Sequence, residues 1–185
     1  MSTRPIMVIS GTNRPKSNAL RLASIVARHH ARQGVTVDLL TLCDMPHEVF
    51  DPIAYAQKPP AFLAIQQRVL DAAGLHVITP EYNGSFPGAL KYFIDMLKFP
   101  ESFDGKPVAF VGEAAGHWGA LRAVEQLQLV FGYRNAHVFP NRVFIPAVNE
   151  KFDGNANLDP TIDERLANQV KGFAAYCHLI GQSRK

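Results

Sequence analysis

The chain has 185 residues, 47% of them apolar and 19% charged, with a formal net charge of +3. That length suits one domain with one filled core, residues 1–185 together, and is short for two. No apolar run approaches the ~18 to 20 residues needed to span a bilayer, so no membrane insertion is expected, and the lysines and arginines are scattered rather than gathered into the stripe that nucleic acid requires.

In chain order, residues 6–10 (Ile6-Met7-Val8-Ile9-Ser10) read as a buried strand, followed directly by the loop Gly11-Thr12-Asn13-Arg14-Pro15-Lys16-Ser17-Asn18 and a helical pattern over 19–32 that opens at Ala19. Hydroxyl, amide and cationic side chains therefore stand beside the unpaired N–H groups of a helix N-terminus, an arrangement that favours a bound anion. Ser17 and Asn18 also read as ordinary helix caps. A second strand is expected at 35–40. The stretch from Met45 to Pro60 carries prolines at 46, 52, 59 and 60 and reads as an irregular surface excursion at the ligand edge of the sheet. A helix over 61–73 leads to a third strand at 75–79, and then to the loop Pro80-Glu81-Tyr82-Asn83-Gly84-Ser85-Phe86-Pro87-Gly88, whose glycines and prolines shape a backbone that can approach a flat ring closely.

Further along, a helix is expected over 88–97, a strand over 108–112, a glycine-bearing turn Gly116-His117-Trp118-Gly119 and a helix over 120–131. The fifth strand falls at 136–139 or at 143–145, and 149–157 reads as a polar loop. The last helix is given by the spacing of Ile162, Leu166, Val170, Phe173, Cys177 and Ile180, with Asp159 as cap and Pro160 at its first position. Alternating strands and helices of this kind build an α/β domain with a mainly parallel sheet, whose ligands lie at the carboxyl ends of the strands where strand order reverses. The two cysteines, Cys43 and Cys177, form neither a C-x-x-C pair nor half of a zinc site and read as buried thiols. The seven histidines show no metal-ligand spacing, so no metal is expected.

Both loops, in this order, resemble those of the NADPH-dependent FMN reductase family, relatives of flavodoxin that include quinone, azo-dye and chromate reductases. Gly11, Arg14 and Ser17 stand in register with a glycine-serine-x-arginine-x-x-serine phosphate loop, with Thr12 in place of its serine. Pro80-Glu81-Tyr82-Asn83, Ser85, Pro87-Gly88 and Leu90-Lys91 reproduce the family's flavin-ring loop. Gly116 to Ala123 is similar to a glycine-rich turn in which Ala120 replaces a second glycine and His117 stands where arginine is frequent. The likeness runs from residue 7 to residue 131.

The resemblance implies a flavodoxin-like three-layer α/β sandwich with a five-stranded parallel sheet of order 2-1-3-4-5 and helices on both faces. It implies bound FMN held by Gly11, Thr12, Arg14, Ser17, Asn18, Ala19, Pro80, Glu81, Tyr82, Asn83, Gly84, Ser85, Gly116 and His117. Arg14 points to the FMN phosphate or outward to the nucleotide's phosphate. No side chain need be catalytic, because the flavin carries the chemistry: NADPH or NADH as hydride donor, then a quinone, azo compound, metal oxyanion or free flavin as acceptor, in a ping-pong cycle. Trp118 and His117 are candidates for the acceptor rim, or Trp118 is an interface or core aromatic. An electron carrier or a flavin-binding redox sensor is the alternative, and steady-state turnover separates it from a reductase. Gly11-x4-Lys16-Ser17 imitates a nucleoside-triphosphate loop but has Pro15 where that loop needs glycine. Residues 1–5 lead straight into a short strand-length run unlike a signal peptide, so a cytoplasmic protein is expected. The resemblance suggests a homodimer or homotetramer, and the helices over 88–97 and 120–131 support it, because they and the adjoining Phe99 carry more apolar residues than one buried stripe uses, Tyr92 and Met96 among them; deep burial would explain the same excess.

Overall fold

The computed structural model describes residues 4–153 and 157–183. Five β-α passages build one parallel sheet: β1 (Ile6–Ser10), α1 (Asn18–Arg32), β2 (Val37–Thr41), α2 (Pro60–Asp71), β3 (Gly74–Pro80), α3 (Gly88–Met96), β4 (Pro107–Glu113), α4 (Leu121–Tyr133), β5 (His137–Val138), β6 (Val143–Ile145) and α5 (Pro160–Ser183). Strand order is β2-β1-β3-β4-β5, with β6 also paired to β4. Both segments proposed for the fifth strand are thus strands. β5 lies along Pro107 and Val108, β6 along Val111 to Glu113, and Pro140, which has no N–H to give a ladder, falls in the break between them.

β2 starts two residues later than the hydrophobic pattern suggests. Gly34 takes φ +73 and donates to Ala31 O, and Val35 donates to His30 O, so both residues close the end of α1 instead of extending the strand. The 45–60 excursion is a chain of short 3-10 turns that bury Val49 and Ala54. Cys43 was expected inside but is exposed, turned outward by the 3-10 turn Leu42–Asp44 so that its thiol reaches Asn13 O. Cys177 is buried. In the 149–157 loop, residues 154–156 lie outside the described residues; Phe152 and Leu158 pair across it.

Period-two alternation sorts the strands between two layers. Met7, Ile9, Leu75, Val77, Val108 and Phe110 meet α2, α3 and α4, while Val8, Ile78 and Val111 meet α1 and α5. One polar chain crosses the second layer. Gln169 of α5 donates through Nε2 to Phe110 O and Asn141 O, so its Oε1 accepts from His76 Nε2 at 3.0 Å. His76 Nδ1 must then accept from His30 Nε2 at 3.1 Å, which leaves His30 Nδ1 a buried lone pair with no partner. Burial holds both imidazoles neutral, lowering His30 to about 4 and His76 to about 3. On the other face the carbonyl end of α2 is closed by cations: buried Lys106 donates to Val69, Leu70 and Ala72, and Arg4 to Leu70, Asp71 and Ala72.

Candidate functional site

Strand order reverses between β1 and β3, and the loops that leave their carboxyl ends are pressed together. Gly11 donates to Ile78 O at 2.8 Å. A Cβ at Gly11 would lie 2.8 Å from that same oxygen and 3.0 Å from Leu90 Cδ2, so only glycine lets the first loop lie flush on β3. One residue on, Thr12 Oγ1 meets Tyr82 Oη at 3.0 Å, a direct bond between the two loops predicted to share a ligand.

Within the first loop, Thr12 is wholly buried and its hydroxyl accepts from Arg14 N, so it braces the loop from inside. Ser17 is the N-cap of α1, accepting from Leu20 N at 3.2 Å. Asn18 turns its side chain to Asn149 and Arg21. Arg14 and Lys16 are exposed, and Lys16 holds φ +54, a left-handed conformation that costs a residue with a Cβ about 1–2 kcal/mol. The return on that strain is the direction of the backbone: the N–H groups of Thr12, Asn13, Lys16, Ser17 and Asn18 take no acceptor among the described residues. A row of open N–H groups at a helix N-terminus fits a phosphate.

The second loop is a miniature hairpin. Tyr82 and Ser85 exchange both main-chain hydrogen bonds, at 2.8 and 3.1 Å, across Asn83 (φ +53) and Gly84 (φ +75). Positive φ at both central residues is the signature of a type I′ Asn-Gly turn. Helix α4 holds this hairpin by residues the sequence reading passed over. Gln126 accepts from Ser85 Oγ and donates to Gly84 O at 3.2 Å, and Arg122 pairs with Glu81 at 3.4 Å. Their i, i+4 spacing puts both on one face of α4, a pattern that in the sequence looks like an ordinary solvated face. Pro80 closes β3, and Tyr82 remains about one-third exposed.

The third loop completes the edge. Gly119 (φ +58) passes so close to β6 that a Cβ would meet Ile145 N at 3.0 Å, and the loop is pinned by Ala114 N to Ile145 O and Ala147 N to Gly116 O. Ala120 adopts φ +67 as the N-cap of α4, the conformation glycine would take without strain. His117 and Trp118 are exposed, their rings 4.7 Å apart, and the Arg122 guanidinium lies 5.5 Å from the Trp118 ring. The structure thus gathers Gly11 to Ala19, Pro80 to Ser85, and Gly116 with His117 along one edge. Glu113 belongs there too. It ends β4, is 6% exposed, and lies against the Ala19 amide; burial pushes its carboxyl up to about 7, with that amide and Arg14 pulling the other way. A separate cleft of about 370 Å³ opens at the opposite edge of the sheet, around Arg4, Val35, Lys171 and His178. The convergent donors and glycines lie at the carboxyl edge, not around this cleft.

The profile of the family described as NADPH-dependent FMN reductase matches residues 5–150. The chain belongs to this family. FMN is therefore its cofactor and a reduced nicotinamide nucleotide its hydride donor, and it works as an oxidoreductase. Among relatives, it is 31% identical over 152 residues to an NAD(P)H-dependent FMN reductase of Pseudomonas aeruginosa, covering 80% of this chain and 81% of that one. It is 29% identical over 127 residues to a quinone reductase of Escherichia coli, covering 66% and 68%. The solved structure of the flavoenzyme NAD(P)H:(acceptor) oxidoreductase FerB from Paracoccus denitrificans superposes with a TM-score of 0.78 at 22% identity, over 95% of this chain and 98% of that one, and shares the fold of this reductase family.

Proposed function

We propose that the chain is an NAD(P)H:quinone reductase whose FMN is seated along the carboxyl edge of β1, β3 and β4. The observation that carries this reading is the row of five open N–H groups in residues 12–18, tied by the Thr12–Tyr82 bond to the Asn83–Gly84 hairpin. The phosphate would be held by those amides with Ser17 and Arg14, and the ring by Tyr82 and the main chain of Asn83, Gly84 and Ser85, with Gly116 and His117 at its far side. When bound, FMN supplies the two-electron chemistry, hydride from the nicotinamide in and electrons to the acceptor out. The protein's own work is positional. Gly11 and the α4 brace through Gln126 and Arg122 fix the two loops before the cofactor arrives, so little order is lost on binding. Exposed Tyr82, His117 and Trp118 present flat, polarisable rims to a flat substrate, which suits a quinone and agrees with the activity named for the E. coli relative.

Two further parts belong to this reading. Met96, counted as surface from the sequence, is wholly buried, but Leu129 and Tyr133 one turn apart on α4 are about four-fifths exposed, and Phe50 stacks on Tyr92 of α3 with Ile53 and Tyr55 open beside it. Exposed apolar residues on these helices suit pairing with a second copy, as a dimer or a pair of dimers. Among the described residues no helix is long and apolar enough to cross a membrane, and an exposed Cys43 thiol fits the reducing cytoplasm. The test is steady-state turnover with NADPH and with NADH against 1,4-benzoquinone. Parallel double-reciprocal lines are expected, because one edge serves donor and acceptor in turn. Bound FMN without quinone turnover would overturn the quinone-reductase reading.

A further inference from the structure

Glu113 does not fit a site built for an anion. Alternation along the strands puts Ser10, Pro80 and Glu113 on the same side as Val8, Ile78 and Val111, the side covered by α1. The Glu113 carboxyl thus ends beneath the α1 N-terminus, against the Ala19 amide, and Ser10 Oγ on the same side is wholly buried without a partner. Among the first-turn amides of α1, Leu20 N is taken by Ser17 Oγ and Arg21 N by Ser17 O. A buried carboxyl therefore already faces the Ala19 amide, next in the chain to the open N–H groups of residues 16–18 that are proposed for the FMN phosphate.

We infer that Glu113 is a proton-linked residue of the phosphate seat: FMN binds to the form of the protein in which Glu113 is protonated, and binding above neutral pH draws one proton from solvent. The inference rests on the FMN seat proposed above. A dianionic phosphate and an ionised carboxyl cannot share one water-poor pocket without strong repulsion, and the carboxyl is the weaker acid to neutralise. Protonated, Glu113 turns from a competitor for helix amides into a hydroxyl donor for a phosphate oxygen. Its environment already leans that way, since burial raises it to about 7 before any phosphate arrives.

Other charged groups meet at this edge. Arg14 and Lys16 lie on the first loop, Glu81 on the second with its Arg122 partner on α4, His117 on the third, and Glu150 on the turn beside Asn149, while the Cys43 thiol touches Asn13. Of these, Arg14 acts on Glu113. Histidine and cysteine are the side-chain types nearest to neutral in free solution, so His117 and Cys43 serve as the controls.

The experiment is calorimetric titration of the cofactor-free protein with FMN at pH 7, 8 and 9, each in two buffers of different ionisation heat. In this range the phosphate stays a dianion. With the competent fraction set by a group near 7, affinity should weaken about 50-fold from pH 7 to pH 9, with uptake near one proton per FMN at pH 8 and above. Glu113→Gln should abolish both the slope and the buffer-dependent heat and bind FMN more tightly than wild type at pH 9. His117→Gln and Cys43→Ser should keep the slope. Constant affinity with buffer-independent heat in the wild type overturns the inference, whether or not Glu113→Gln folds. So does a slope that survives Glu113→Gln or vanishes in either control. Failure of FMN to bind at any pH overturns the FMN seat itself.

Discussion

Gly11→Ala is the sharpest probe of how the two loops are joined. The added Cβ would stand 2.8 Å from Ile78 O and 3.0 Å from Leu90 Cδ2. Leu90 can swing aside, but Ile78 O belongs to the main chain of the central strand β3 and is already accepting the Gly11 N–H. The first loop must therefore lift. Overpacking of this kind costs about 1–3 kcal/mol, which in a domain of this size lowers Tm by about 2–4 °C per kcal/mol. Lifting also lengthens the Gly11–Ile78 and Thr12–Tyr82 bonds, each worth about 1 kcal/mol, so FMN affinity should fall about 5- to 30-fold. Gly132→Ala is the control. Its Cβ would meet nothing within 4 Å on α4, and helix propensity predicts a gain of about 0.5–1 kcal/mol with FMN affinity unchanged. Thermal melts of the cofactor-free proteins and fluorescence titration with FMN measure both. A Gly11→Ala protein with wild-type Tm and wild-type FMN affinity would refute the claim that the loop depends on flush contact with β3.

If Arg14 and Ser17 hold the phosphate as proposed, the double alanine variant should weaken FMN by about 30-fold or more, from one charge-assisted bond and one hydroxyl, and should erase the preference for FMN over riboflavin in a competition titration. Lys106→Met removes a buried ammonium from the carbonyl end of α2, leaving Val69 O only the Ala72 N–H and Leu70 and Ala72 O only Arg4, and should cost about 1.5–3 kcal/mol, read from denaturant melts, without changing the FMN affinity of the folded protein. His30 is held neutral with its titration lowered to about 4, so the unfolded chain binds the extra proton first: its contribution is whole above pH 6.5 and is lost as pH falls towards 4. His30→Gln keeps a donor for His76 but not this titration, so the stability difference between wild type and variant should move by about 3 kcal/mol against wild type from pH 7 to pH 4.

Much of the fold could be read because buried parallel strands are short apolar runs and α5 carries its own cap and stripe. Where the reading slipped, the competing force was local. Gly34 and Val35 went to a helix end, Pro140 split a strand, and a 3-10 turn turned Cys43 outward. The site's loops were legible because Asn83-Gly84 and the cap at Ser17 are chemical necessities of their turns. What could not be seen was which side chains hold the loops rather than a ligand. The Thr12 hydroxyl also braces the loops, through Arg14 N and Tyr82 Oη, and Gln126 and Arg122, on a helix face where polar residues are ordinarily solvated, clamp the hairpin. Glu113 was missed for a plainer reason. Its strand was expected to stop at residue 112, and one more residue of pairing carries the carboxyl under α1. Contacts between elements of this kind leave no periodic trace in a sequence.

The central claim is that this edge holds FMN where a nicotinamide can reduce it. Anaerobic mixing of the FMN-loaded protein with NADPH, and separately with NADH, tests it directly. At least one nucleotide should bleach the visible flavin absorbance within turnover time, and added 1,4-benzoquinone should restore it. A bound flavin that neither nucleotide reduces would contradict the account and point to an electron carrier or sensor.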